Sequence, residues 1–350
     1  MEELRGQFPI LSKYTYLNTA RYCALPRSVV DIQKQFLDHV NTDGSWNFDF
    51  WSTQYESTRK ASAQIISCPV DKLFFLPNVS LGFNLAAQYL PKRKVICLKG
   101  DFPSVNLTWE PHGFEVKYLD YQSKDFENRF LEALSEPEQI VSVSWIQSED
   151  GFEMDLDLIF KICKEKNHFL ILDGTQGLGA IPFQIDLEVN CLFLASGFKW
   201  LLAGYGIAMA YASNSILKYL KPMRGWNSGF LPDGNIIDGA KSLEVGNATY
   251  LNVSGLGEAL KLINQIGIEN IEKHNHSLKA YLKSALAETQ RSTKEYETRS
   301  SILSFSANET DYQKLVESNI QITKQAGFIR VAPHFYNNVD DIKKMLDIIA

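Results

Sequence analysis

Apolar positions fall in two rhythms along this chain. Residues 169–172 (FLIL) and 191–195 (CLFLA) are short, unbroken apolar runs that stop at DGTQ and SGFKW. Runs this short, apolar on both faces and flanked by glycine, read as central strands of a parallel sheet covered by helices. Further strand-like runs lie at 73–76, 94–99, 114–120, 139–147 and 206–213, and helical patterns separate most of them, as expected of βαβ units. The expected class is α/β with a mainly parallel sheet.

The helical rhythm opens after Pro26 with SVVDIQKQFLDHV, a place where the missing N–H of proline matters least. Residues 41–56, NTDGSWNFDFWSTQYE, keep no clean period and read as a loop leading into a helix over 55–66. Toward the carboxyl end come a polar helix over 274–286, strand-like ILSFSA, a helix around 312–318, and GFIRVAPHFYNNVDDIKKML, which together suit a smaller α+β domain. The division expected is a large α/β domain over 22–255, with 1–21 and 256–350 forming the small domain.

In open α/β sheets ligands sit beyond the carboxyl ends of the strands, so Asp173, Gln176, Ser196 and Lys199 should converge on one crevice. Singly, each has a plain reading: an aspartate at a strand end caps the next helix, and a lone lysine is solvated. Together, with Lys199 set between Phe198 and Trp200, they suit pyridoxal phosphate. A lysine amine condenses with its aldehyde, a carboxylate keeps its ring nitrogen protonated, and a hydroxyl donates to its phosphate. Residues 77–80, PNVS, open another helix, whose free N–H groups and positive dipole end make an anion site; an N-cap role for Asn78 or Ser80 is compatible with it.

DGTQGLGAIPFQID followed by SGFKWLLAGYG resembles the cofactor-lysine region of class V aminotransferases. These are fold-type I pyridoxal phosphate enzymes that include cysteine desulfurases, kynureninases and isopenicillin N epimerase-like proteins. The resemblance extends over most of the chain and implies catalytic roles for Lys199 and Asp173. It puts Val79 (backbone) and Ser80 on the cofactor phosphate and Phe102, in its FP context, on the pyridine face, with Gln176 and Ser196 completing the cofactor set. It sets Gln147 near the ring oxygen, a solvated strand end being the other reading of that residue. The segment YLNTARYCALP resembles one that borders the substrate pocket, which would bring Asn18, Thr19 and Arg21 there; a simple turn before a helix fits equally. IRVAPHFYNNVDDI resembles the motif whose arginine takes the substrate carboxylate, so Arg330 is the match, and its planar fork suits the task. In GNATY, Asn247 stands where the family has a threonine that reaches the phosphate bound by the neighbouring subunit, and a homodimer is implied. Trp46, Phe48, Phe50 and Trp51 could form a substrate wall, a dimer contact or ordinary packing.

Composition narrows the partners. With 350 residues, 45% hydrophobic and 22% charged, the chain has the make-up of an ordinary globular protein. A net charge of −6 disfavours nucleic acid or an anionic membrane as the main partner. MEELRGQFPI has neither the basic nor the apolar region of a secretory signal, and no apolar stretch is long enough to span a bilayer. Five scattered cysteines without a CxxC pair point to a reducing, cytoplasmic setting. Six histidines without HExxH, with His274 and His276 in a polar helix, give no reason to expect a metal. GTQGLGA breaks off before completing GxGxxG, and neither a phosphate-binding GxxxxGK[ST] nor a GxSxG is present.

The cofactor fixes the class of chemistry without fixing its outcome. Residues 322–330, ITKQAGFIR, lack the cysteine that the resemblance would require for persulfide formation. Phe198 occupies the place before the lysine where many family members have histidine, and it cannot shuttle a proton. An aminotransferase acting on an amino acid or small amine is the leading expectation. A lyase, hydrolase or epimerase of the kynureninase or isopenicillin N epimerase type comes second, and a cofactor-binding protein without turnover third.

Overall fold

A computed structural model describes residues 2–220, 239–246, 249–289, 291–294 and 296–349. After two short 3-10 helices (Glu2–Gln7 and Pro9–Ser12) come strand β1 (Thr15–Tyr16) and helices α1 (Arg27–Thr42) and α2 (Asp49–Ile65). Then come β2 (Leu73–Leu76), α3 (Val79–Tyr89), β3 (Val95–Leu98), α4 (Pro103–Asn106), β4 (Val116–Leu119), α5 (Phe126–Ala133), β5 (Ile140–Ser144) and α6 (Leu156–Glu165). The central pair β6 (Phe169–Asp173) and β7 (Asn190–Ser196) leads into β8 (Ala208–Ala212) and α7 (Asn214–Leu217). Two long helices, α8 (Tyr250–Ile266) and α9 (Ile268–Ala287), precede β9 (Thr293–Lys294), β10 (Leu303–Ser306), α10 (Glu309–Glu317), β11 (Ile320–Gln321), β12 (Thr323–Gln325), β13 (Phe328–Val331) and α11 (Val339–Ile349).

The main sheet has the order β2-β8-β7-β6-β5-β3-β4. Only β8 runs against its neighbours; the others are parallel. Both faces are covered, which is why these strands carry no polar face: Phe193 and Leu172 enter one apolar cluster, while Ile171 and Leu194 enter the other. The fold is α/β, as the apolar runs require.

Most boundaries shift by a few residues from the sequence reading, and three of the shifts have a clear physical cause. Helix α2 starts at Asp49, inside the stretch expected to be loop, because Trp51 turns inward and packs edge-on against Phe36 at 5.0 Å, supplying a buried face that the polar flanks concealed. The strand expected over 139–147 is paired only from Ile140 to Ser144, since Gln147 N–H donates to Phe152 O outside the sheet. The helix expected over 274–286 runs from Ile268 and is separated from α8 by Gly267, whose φ of 84° stops one helix and starts the next. On α9, the ring of His274 bonds Asn337 O at 2.9 Å.

Toward the carboxyl end, β12-β13-β10-β9 form an antiparallel sheet against α9 and α11, around a core that includes Leu278, Phe305, Ile329 and Met345. The amino-terminal β1 pairs in parallel with β11, and Asn18 bridges to Ala332. That pairing carries residues 18–23 over the main sheet, where Cys23 N–H donates to Phe198 O at 2.9 Å. Of the aromatic group around the start of α2, Trp51 is buried and Phe48 packs on Tyr250, whereas Trp46 (78%) and Phe50 (45%) face solvent. No helix among the described residues is long and apolar enough to cross a membrane, and no group of three His, Cys, Asp or Glu side chains there could hold a metal.

One buried ion pair ties α2 to the sheet and to the segment ending at Gly246. Arg59 meets Glu244 through two hydrogen bonds of 2.7 and 2.8 Å, and Glu244 also accepts from Phe75 N–H at 2.8 Å and Tyr55 O–H at 2.9 Å. Replacing only one partner leaves an uncompensated buried charge. Arg59→Met is expected to destabilise the fold by roughly 3–5 kcal/mol, with part of the loss recovered in the double variant Arg59→Met/Glu244→Gln, as read by denaturant unfolding.

Candidate active site

Two neighbouring strands end side by side and set the site. Asp173 closes β6 and Ser196 closes β7; the first is paired with Leu194 and the second with Ala208. The turn after β7 carries Lys199, closed by Leu202 N–H donating to Lys199 O at 3.0 Å, with Leu202 itself at φ 57°. A non-glycine residue in that conformation is held there by its surroundings. The glycine-rich GLGA serves close packing here: Gly179 has φ 93°, and a Cβ on it would lie 2.5 Å from Trp200 O. The loop after β6 is thereby pressed against the loop carrying the lysine.

The four residues expected to converge do so. Asp173, Gln176, Ser196 and Lys199 line one cavity with Asn78, Val79, Ser80, Phe102, Ser144, Thr175 and Phe198. Asn78 caps α3 by accepting from Leu81 N–H at 2.9 Å, so the N–H groups of Val79 and Ser80 are left toward the cavity at the positive end of the helix. The Ser80 and Ser104 hydroxyls bond each other at 2.6 Å. Gln176 is fixed at both ends of its amide, donating to Ala20 O at 3.0 Å and accepting from Trp200 Nε1 at 2.8 Å.

Lys199 is buried, and its Nζ lies 5.5 Å from the Phe102 ring centre and 5.6 Å from that of Phe198. Loss of hydration lowers its pKa to about 8, against the pull of Asp173 and with the push of Arg330. Asp173 is also buried, and its carboxylate accepts from Thr175 N–H at 2.8 Å. Desolvation raises its pKa, while Thr175 and Lys199 draw it down. A carboxylate so placed lacks a close cationic partner among the described residues.

A second cleft adjoins the first and shares Phe102, Ser148, Phe198 and Lys199 with it. Arg21 and Arg330 line this outer cleft. Arg330 donates to Ser148 O at 2.5 Å and to Thr323 Oγ1 at 3.4 Å, while its Nε is buried without a partner. Burial, and then Arg21, lower its pKa to about 10, which keeps it charged near neutrality. Asn18 stands one layer back, accepting from the Thr323 hydroxyl at 2.7 Å, and Thr19 bonds Tyr336. Gln147 is buried rather than solvated, and its amide donates to Asp101 at 3.1 Å instead of lining the cavity. Asn247 lies outside the described residues.

Asp101 escaped the sequence reading. It follows β3 as Asp173 ends β6, and it accepts from Ser144 N–H and O–H, Gln147 Nε2 and Phe102 N–H. The signal was available: an acidic residue directly after an apolar strand, beside Phe102.

The sequence profile of the family described as aminotransferase class-V matches residues 15–345. The chain belongs to that family. An uncharacterized aminotransferase, YcbU, from Bacillus subtilis (strain 168) is 26% identical over 365 residues, spanning 100% of this chain and 97% of its own. The fold matches the apo structure of a cysteine desulfurase from Thermococcus onnurineus NA1 with a TM-score of 0.89 at 19% identity, over 99% of this chain and 96% of that one. C-DES with glycine covalently linked to its pyridoxal phosphate also matches, with a TM-score of 0.89 at 19% identity and 98% of both chains covered.

This class-V aminotransferase family member is a pyridoxal phosphate enzyme. The cavity fits that cofactor on its own terms. It offers a buried amine of lowered pKa, a buried carboxylate without a close cation, unpaired N–H groups at a helix start, and a 40% exposed phenyl ring at Phe102. An amine attacks an aldehyde only in its neutral form. Capture of pyridoxal phosphate by cofactor-stripped protein, followed by mass after borohydride reduction, is therefore expected to accelerate with pH up to about 8 and then level off. An ordinary lysine would keep gaining toward 10.5, and Lys199→Ala should show no capture at this site.

Proposed function

We propose that this protein is an aminotransferase acting on an amino acid, with Lys199 as the proton carrier and Arg330 as the holder of the substrate carboxylate. The observation that carries the reading is the place of Lys199 at the junction of two cavities. One is lined by Asp173 and the start of α3, the other by Arg330 and Arg21. A single amine there reaches groups on both sides.

When bound, pyridoxal phosphate supplies an aldehyde and an electron-withdrawing ring. Val79 and Ser80 N–H groups would hold its phosphate, Phe102 would cover one ring face, and Asp173 would keep the ring nitrogen protonated. Arg330 presents its fork to the incoming carboxylate, which would also occupy the buried Nε. Lys199 Nζ, with its pKa lowered to about 8, would take the proton of the substrate carbon and hold it for return. Phe198 on one side and Phe102 on the other keep water from this amine.

Two observations support transamination over sulfur transfer. The turn between β12 and β13 is Ala326-Gly327 and carries no thiol. Cys23, whose N–H donates to Phe198 O in the lysine loop, has its pKa raised by burial to about 11, so it is a protonated thiol and a poor nucleophile at neutral pH. The lyase, hydrolase or epimerase reading is separated by product analysis. One equivalent of 2-oxo acid per site, released from an amino acid without a second substrate, is the expected result. Ammonia, a cleaved side-chain fragment or an inverted amino acid instead of the oxo acid would reject transamination.

Asp173→Asn keeps the shape and removes the charge. Losing one charge-assisted hydrogen bond is worth about 1.5–3 kcal/mol, so the variant should still capture the cofactor on Lys199 yet react at least ~10-fold more slowly in single turnover. An unchanged rate would reduce Asp173 to a loop cap through its bond to Thr175.

A homodimer is part of the same proposal, supported by the GNATY resemblance and by the solvent-facing Trp46 and Phe50. Sedimentation of the cofactor-loaded protein should give twice the chain mass of 39.7 kDa, and a fully active monomer would overturn it. The five free cysteines support a reducing, cytoplasmic location.

A further inference from the structure

Two arginines line the outer cleft, whereas an ordinary amino acid brings one carboxylate. Arg330 and Arg21 both line it, and each lies close enough for Arg21 to disfavour the charge on Arg330. Of its two carboxylates, Asp101 is committed elsewhere, and Glu149 attracts Arg330 but is itself paired with a lysine. Asp101 accepts four hydrogen bonds from Ser144, Gln147 and Phe102, and Glu149 pairs with Lys294 at 3.2 Å. Among the described residues Arg21 makes no hydrogen bond or ion pair through its guanidinium, which lies 5.6 Å from the Tyr22 ring centre. Its backbone is fixed nonetheless, with Arg21 N–H donating to Asn18 O at 3.0 Å in a turn anchored by the Asn18–Ala332 bridge.

We infer that the cleft takes an amino acid with a second carboxylate, Arg330 holding the α-carboxylate and Arg21 the one on the side chain. This rests on the aminotransferase reading above. A substrate with a neutral side chain would cover Arg21 without pairing it, and stripping water from an unpaired charge is unfavourable. One guanidinium matches one carboxylate in charge and in its two-pronged geometry; a dianionic phosphate would call for further donors.

The test compares L-glutamate and L-aspartate with their amide isosteres L-glutamine and L-asparagine, with O-phosphoserine alongside, in single turnover of the cofactor-loaded protein. Binding of unreactive glutarate and butyrate is measured by calorimetry in parallel. At least one acid should outpace its amide ten-fold or more, and glutarate should bind more tightly than butyrate. Arg21→Ala should lower both preferences about ten-fold, and Arg21→Lys should restore part of them because the charge stays. Amides as fast as acids, O-phosphoserine faster than both, or preferences unmoved by Arg21→Ala would overturn the inference. Failure of the aminotransferase reading looks different: no amino acid would yield an oxo acid, while the glutarate comparison would still report on Arg21.

Discussion

Keeping two ionisable groups out of water at adjacent strand ends is the constraint on which the rest of this structure depends. Asp173 and Lys199 are both buried, and each is shifted toward its neutral form chiefly by loss of hydration. Such groups are held in place only where surrounding elements leave no room for relaxation. Here the sheet is covered on both faces, Gly179 lets one loop lie against the carbonyl of Trp200, and Leu202 is confined to a left-handed backbone. The fold thus supplies rigidity where the chemistry needs an amine whose pKa is brought down to about 8.

The division of labour between the two cavities follows from topology. Parallel strands place their carboxyl ends on one edge, which gathers Asp173, Ser196 and the start of α3. The outer cleft is made differently, from the amino-terminal turn at 18–22 and the β12–β13 hairpin. Those segments meet because β1 pairs with β11 and Asn18 bridges to Ala332. Asn18 holds Thr323, and Thr323 in turn accepts from Arg330. An arginine more than a hundred residues from the lysine is thereby aimed at the space next to it.

Buried polar groups behind the cavity wall show how the site is kept open. Asp101 gathers the backbone of Phe102, both donors of Ser144 and the amide of Gln147, so the ring at Phe102 stands on a fixed base. Gln176 is clamped between Ala20 and Trp200, joining the amino-terminal turn to the lysine loop. Each such bond adds about 1 kcal/mol net, but leaving a buried partner unmade is more unfavourable, so the network specifies one arrangement.

Strand ends, the helix start at Val79 and the placement of Lys199 between two aromatics were legible in the sequence, because short apolar runs and their polar stops are local patterns. The family resemblance and the inner cavity followed from them. Other features depended on partners distant in the chain. Trp51 reads as part of an aperiodic loop until Phe36 covers it, Gln147 as either a neighbour of the ring oxygen or a solvated strand end until Asp101 takes its amide, and Asp101 has no assigned role until Ser144 meets it. The sequence by itself determined which chemistry each strand end could offer. Only the tertiary structure decided which groups are buried together, because desolvation and hydrogen bonding are set by neighbours that the chain brings close from 15 to about 300 positions away.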